Sequence, residues 1–335
     1  VALLGAVQAQ DFAGAKWALG QRLRGATDAT IERAYDEGAI LRTHVLRPTW
    51  HFVTPSDIRW LLALTGPRVH AGNLGRHRQL ELDDAVFRQS HAVLTHALRD
   101  GQFLTRAEVA RALAAAGIST ALPQRLAYIL MHAELHALIC SGPRRGRQFT
   151  YALLDERAPP APAPHRDAAL AELVRRYFTT RGPATAHDCA WWSGLTLADI
   201  RRALQDARGY LAQETVDGTT FWFSPSPRAV DVPAHTAHLL PNYDEYFIGL
   251  RDRSAMLEPS TFAAVSARPD VLIANIVLVD GRAAGSWKRA LARRSVSIEL
   301  KLLRKLTTRE RRAVQGAMRA YAAYVELPLA ASGVP

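Results

Sequence analysis

Hydrophobic and polar positions along this chain switch between a helical period and a period of two, and the switches mark out a recurring order of elements. Phe12, Ala15, Trp17, Leu19 and Leu23 follow helical spacing behind Asp11, a side chain suited to capping a first turn, and the run stops near Gly25. A second helix is predicted from Asp28 or Thr30 through Ile31, Ala34 and Tyr35 to Gly38. Residues 40–46 and 49–53 then alternate around Arg47-Pro48, which predicts a hairpin.

The order returns twice. Residues 86–98 have helical spacing, Thr105 and Glu108 form a capping box opening a helix through Val109 and Leu113, and a third helix runs from about Leu122 to Ala133. Strand-like 137–141 and 149–154 flank a basic loop containing Arg144, Arg145 and Arg147. Three helices and a basic-tipped hairpin are the layout of a winged helix, with these arginines as a wing against phosphate. The stretch 158–164, Ala-Pro-Pro-Ala-Pro-Ala-Pro, reads as a stiff spacer. Helices over 168–178, 184–192 and from Thr196 through Leu204 follow, and Asp217-Gly218 joins strands 210–216 and 219–223.

The final hundred residues differ. A strand runs into the polar, aromatic turn at 238–247, a hairpin is centred on Gly281, 295–302 alternates, and Thr307 opens a last helix through Val314, Met318, Tyr321 and Val325. The expected fold is α+β, with three tandem winged-helix units at 1–80, 81–157 and 165–228. A small antiparallel β-barrel or sheet with a C-terminal helix is expected over 229–335.

Composition narrows the partners. Of 335 residues, 48% are hydrophobic and 22% charged, an ordinary globular balance. Forty-two basic side chains face 31 acidic ones, a net charge of +11, which points to a polyanion. Lysine occurs only at 16, 288, 301 and 305; base composition of a genome explains arginine replacing lysine, but not the excess of bases over acids. Lys288, Arg289, Arg293 and Arg294 begin a dense basic run that suits a phosphate backbone, and Trp287 beside them is a candidate to enter a groove. Cys140 and Cys189 match no metal or redox spacing and are expected to be reduced and buried, with no metal or cofactor. No apolar run reaches the roughly 18 residues that span a bilayer, so no membrane partner is expected. The sequence starts at Val1 without Met and carries no basic-then-apolar leader, and initial residues are expected to precede it.

Gln8-Ala9-Gln10 is the candidate chemical centre. Placed at a bend before the Asp11 cap, the two amides can be aimed into one space, whereas positions i and i+2 of a helix diverge. Spacing alone does not distinguish this from a solvated pair. Together with Leu46-Arg47-Pro48-Thr49-Trp50-His51-Phe52-Val53 and Leu239-Leu240-Pro241-Asn242-Tyr243-Asp244-Glu245-Tyr246, the motif makes the chain similar to the AlkZ-like DNA glycosylases, bacterial tandem winged-helix proteins. The resemblance spans nearly the whole chain in element order. It implies a C-shaped molecule that embraces double-stranded DNA and hydrolyses the N-glycosidic bond of alkylated purines, interstrand crosslinks included in some members. It also implies that Gln8 and Gln10 are catalytic; a related branch carries Asp at the second position, where this chain has Gln10. A bacterial cytoplasmic location, on the nucleoid when bound, follows from the same resemblance.

The chemistry agrees with that assignment. An amide is no general base near neutral pH, but an N7-alkylated purine is already cationic and leaves readily, so holding water beside C1′ suffices. Trp50, His51 and Asp244 are candidate supporting residues. The competing reading is a non-catalytic winged-helix regulator or adduct-binding protein in which the glutamine pair is incidental. An RNA-binding module is disfavoured because no aromatic-glycine single-strand motif is present. Tandem units make a monomer sufficient.

Overall fold

The computed structural model describes residues 1–162, 164–225, 235–257, 275–330 and 334. In chain order, β1 (Val7–Gln8), α1 (Phe12–Gly20), α2 (Asp28–Asp36), β2 (Leu41–Val45), β3 (Thr49–Val53) and α3 (Pro55–Gln79) come first. Then follow α4 (Asp84–Leu98), β4 (Leu104–Thr105), α5 (Arg106–Ala115), α6 (Arg125–Leu135), β5 (Ile139–Ser141), β6 (Thr150–Leu153) and the one-turn α7 (Leu154–Arg157). Next are α8 (Arg166–Arg181), α9 (Ala186–Ser193), α10 (Leu197–Asp206), β7 (Ala212–Val216) and β8 (Thr219–Phe223). The chain closes with β9 (Ala237–Leu240), α11 (Glu245–Ile248), β10 (Ile276–Val279), β11 (Arg282–Leu291), β12 (Val296–Leu302) and a C-terminal helix (Thr308–Tyr324).

Local chemistry starts these helices where the sequence places caps. Asp11 accepts from the Gly14 amide at 3.0 Å. Thr105 and Glu108, Thr185 and Asp188, and Thr307 and Glu310 each form reciprocal capping boxes, satisfying backbone donors that the first turn leaves over. The longest helix, α3, follows the first hairpin without a sequence-level expectation, because its polar and apolar positions keep no single stripe and Pro67 lies inside it. It is held by neighbours instead: Ile58, Leu61, Leu62 and Thr65 are buried, and Gly66 lets the backbone carbonyl of Leu135 come close.

Two compact units result, one of Val1–Val7 with Ala34–Trp222, the other of Gln8–Arg33 with Phe223–Pro335. The boundaries expected at 80 and 157 do not coincide with this division, and that at 228 lies outside the described residues.

Within the first unit the same sheet order recurs. β1, through Val7, extends a sheet ordered β1-β3-β2, and a second sheet is ordered β4-β6-β5. An isolated bridge between Ala184 and Trp222 sets residue 184 beside β8, which pairs with β7. In each case the early strand lies against the last strand of the following hairpin. Leu94, Leu98, Val109, Leu113, Ile129 and Ile139 form one continuous core beneath the second sheet. His44 Nδ1 and the Glu134 side chain form a contact that is buried on both sides. Cys140 and Cys189 are free and buried, as expected, and burial pushes the Cys140 thiol up to about 12.

The second unit contains a linear antiparallel sheet, β12-β11-β10-β9. Of the two forms expected for this region, the open sheet is the one formed: β12 and β9 remain its two ends and no barrel closes among the described residues. Its core includes Leu240, Phe247, Met256, Ile276 and Leu278. Trp287 of β11 sets its ring 5.2 Å from Tyr321 of the C-terminal helix. Eight of the nine residues of α1 are buried, all but Ala13. α1 is therefore a core helix of this unit, with Trp17 against Tyr321 and Tyr324 at 5.0 and 4.9 Å between ring centres. No helix of the described residues is long and apolar enough to cross a membrane.

Candidate active site

The N-terminal motif and the turn after β9 are more than two hundred residues apart in sequence, and the second unit brings them together. The Gln8 backbone N–H donates to the Glu245 Oε1 at 2.8 Å, and both residues are buried. A backbone donor removed from water needs such an acceptor, so Glu245 fixes where the motif enters the bend. Ala9 is wholly buried, whereas Gln10 sits in a bend and is exposed. The two amides therefore occupy different environments, one held inside the fold and one at its surface.

Asp244 anchors the same turn. It caps α11 through the Tyr246 amide at 2.9 Å and takes a two-pronged contact from Arg22 at 2.7 and 2.8 Å. Gln21 adds a longer contact at 3.4 Å. Burial opposes the charge on Arg22, but the Asp244 carboxylate, its hydrogen bonds and Glu245 outweigh it and hold the guanidinium pKa above its ordinary value. Asp244 is thus engaged by Arg22 and the α11 cap, and it is Glu245, its neighbour in the same acidic pair, that touches the glutamine motif. The Asp-Glu doublet at the end of the polar, aromatic turn was the signal for it.

Two indoles brace the strand that feeds this turn. Trp17 donates to the Leu239 carbonyl at 2.6 Å and Trp287 to the Leu240 carbonyl at 2.8 Å. A Cβ added to Gly14 would come within 3.2 Å of Pro241 and 2.7 Å of the Asp11 carboxylate, so glycine permits α1 to approach the turn. Lys16 is buried and held by Asp28 at 2.7 Å and Glu32 at 2.5 Å.

Two cavities of about 650 and 550 Å³ open on this unit. The larger is lined by Trp17, His238 and Tyr324 among others, the smaller by Arg22, Tyr246 and Asp280, and neither includes Gln8 or Gln10.

The remaining expected site residues separate into structural and exposed groups. Trp50 and His51 lie on β3 in the first unit. Trp50 is half-buried with its ring 4.4 Å from His44 and under the Arg42 guanidinium at 4.3 Å. His51 is fully buried, with Nδ1 2.9 Å from the Thr49 carbonyl. Trp287 is 1% exposed, so the expectation that it enters a DNA groove is corrected: its indole N–H and ring are both used inside the fold. Arg289 is half-buried over the Trp287 and Tyr321 rings at 5.7 and 5.8 Å. Lys288, Arg293 and Arg294 are exposed.

At the hairpin tip of the first unit, Arg144 is half-buried over Phe149 at 5.0 Å, and Arg145 binds Glu108 at 2.7 Å and the Phe103 carbonyl at 2.6 Å. Arg147 is exposed. Arg147→Ala is expected to weaken DNA binding almost uniformly across sequences and to reduce the slope of log affinity against log salt by about one. Binding isotherms at several salt concentrations measure this, and an unchanged slope would remove Arg147 from the interface.

Comparison with known proteins shows the family and the fold. A curated relative from Streptomyces sahachiroi, an interstrand DNA cross-link repair glycosylase, is 24% identical over 297 residues, covering 84% of this chain and 79% of the relative. The solved structure of Streptomyces sahachiroi DNA glycosylase AlkZ matches 98% of this chain and 91% of its own, with a TM-score of 0.78 and 23% identity. The family model described as DNA glycosylase AlkZ-like matches residues 1–324, and the chain belongs to that family.

Proposed function

We propose that this protein is a monofunctional DNA glycosylase that hydrolyses the N-glycosidic bond of cationic, N7-alkylated purines in double-stranded DNA. The observation that carries this reading is the buried hold of Glu245 on the Gln8 backbone, which fixes the glutamine motif at the entrance of α1 in a chain of this family. The amide oxygens of Gln8 and Gln10 would accept hydrogen bonds from a water and aim its oxygen at C1′. The C1′–N9 bond breaks, its electron pair passes to the purine and discharges the cation, the water oxygen bonds to C1′, and its proton leaves to solvent. Glu245, a carboxylate in a water-poor environment, adds negative potential where positive charge develops on the sugar. Lys16 is engaged by two carboxylates, which supports hydrolysis over attack by an amine.

Backbone recognition is the second part of the proposal. The threefold sheet order, each with helices before its hairpin, supports three tandem winged-helix units that track phosphate. Exposed Lys288, Arg293 and Arg294 would extend that contact. Exposure of Gln10 at the bend supports an open site that accepts a purine still tethered to the opposite strand. Crosslink unhooking belongs to the proposal for that reason, and the relative's description is consistent with it.

A single-turnover assay on a duplex with one N7-methylguanine tests the reading. An abasic site should form far faster than in the uncatalysed duplex, and an undamaged guanine in the same context should remain in place. Tight binding without abasic product would make the protein an adduct binder instead.

A further inference from the structure

Five of the chain's twelve histidines converge in the first unit, and none of them belongs to the glutamine motif or the basic hairpin tip. His70 and His77 come from α3, His91 from α4, His132 from the last turn of α6, and His136 directly follows α6. Ring nitrogens of His70, His132 and His136 lie within 4.8 Å of one another. We propose that these three imidazoles form a binding site for a divalent transition metal of the zinc class, bracing α3 against α6.

Packing alone does not account for the cluster. His70 Nε2 is buried and makes no hydrogen bond among the described residues, an arrangement that costs stability unless something occupies the position. His136 directs Nδ1 to the His132 carbonyl at 2.9 Å, which orients its ring and leaves Nε2 for a ligand. His91 Nε2 lies 3.0 Å from His132 Nδ1, so that nitrogen of His132 is tied down by a ring outside the three-ligand set. This is the arrangement in which one imidazole nitrogen binds and the other is tied down.

The electrical environment agrees. Burial and neighbouring imidazoles lower the pKa of His70 and His91 to about 4 and that of His132 to about 2. Three imidazole nitrogens without a thiolate suit zinc, nickel or copper rather than magnesium or calcium, which take oxygen ligands. Tetrahedral nitrogen ligands at zinc stand roughly 3.4 Å apart, so binding draws the rings slightly together. His136 is exposed, which provides the entry path and a position for water as a fourth ligand.

Titration of protein without a histidine tag with zinc chloride tests this by calorimetry and thermal melting. The expected result is one zinc per chain, a melting temperature raised by roughly 5 °C, and reversal by a chelator. His136→Ala, at an exposed position, should weaken binding by at least about tenfold while leaving the metal-free melting temperature unchanged, and His70→Ala should do so more strongly. His165→Ala, at an exposed position outside the cluster, should leave binding intact. Cobalt in place of zinc should give the visible absorption of a low-symmetry site. Absence of saturable binding at one metal per chain, or binding that neither His70→Ala nor His136→Ala weakens, would overturn the proposal. None of these readouts depends on glycosylase activity.

Discussion

Gln8→Ala with Gln10→Ala should lower excision of N7-methylguanine by about 10²- to 10³-fold under single-turnover conditions, the range expected when oriented groups acting on a transition state are removed. The loss should fall on the chemical step. Both side chains are uncharged, so DNA affinity and its salt slope should be almost unchanged. The fold should also persist, because Glu245 accepts from the Gln8 backbone, which alanine retains. Gln10 is exposed, and Gln10→Ala should shift stability by no more than about 0.5 kcal/mol. If both amides hold one water, their effects cannot add. The double variant should then be no slower than the worse single variant by more than a few fold. Because a cationic base leaves unaided at a measurable rate, the variant should approach the uncatalysed rate of the same duplex rather than zero. Excision by the double variant at the wild-type rate would remove the pair from the mechanism.

Local signals in the sequence were reliable where a backbone group had a nearby partner. Asp11, Thr105 with Glu108, and the strands on either side of Arg47-Pro48 and Asp217-Gly218 are all found as expected, because caps and hairpins are settled within a few residues. The legible part of the site was Gln8-Ala9-Gln10 before a capped helix. What sequence periodicity could not supply was the partner of α1. A helix buried on nearly all sides gives no polar face from which to infer its neighbours, and those neighbours lie beyond residue 236. The roles of Arg22 and Glu245 depend on that pairing, as does the difference in burial between Gln8 and Gln10. Trp287 shows the converse: a tryptophan beside several cations resembles a groove-entering residue, yet alternation along β11 turns it inward and sends Lys288 outward.

Asp244→Ala should lower the stability of the second unit by about 3 kcal/mol. Two losses combine. The N-cap of α11 disappears, typically about 1 kcal/mol, and the Arg22 guanidinium loses both prongs of its carboxylate. Breaking a fully buried ion pair costs about 3–5 kcal/mol, and the Arg22 side chain, 32% exposed beside a wholly buried Asp244, recovers part of that from water. The corresponding fall in melting temperature is roughly 6–12 °C for a unit of this size. Arg22→Met placed on Asp244→Ala should restore part of the loss by removing the stranded charge, so the double variant should be more stable than the sum of the single changes predicts. Asp244→Asn should fall between wild type and Asp244→Ala, since an amide still accepts from the Tyr246 backbone but carries no charge for Arg22. Thermal melts of the wild type and the four variants decide the point. Strict additivity of Arg22→Met and Asp244→Ala would mean that the pair is not coupled. A wild-type melting temperature for Asp244→Ala would show that the turn carrying Glu245 is held in place by the Trp17 and Trp287 indoles alone.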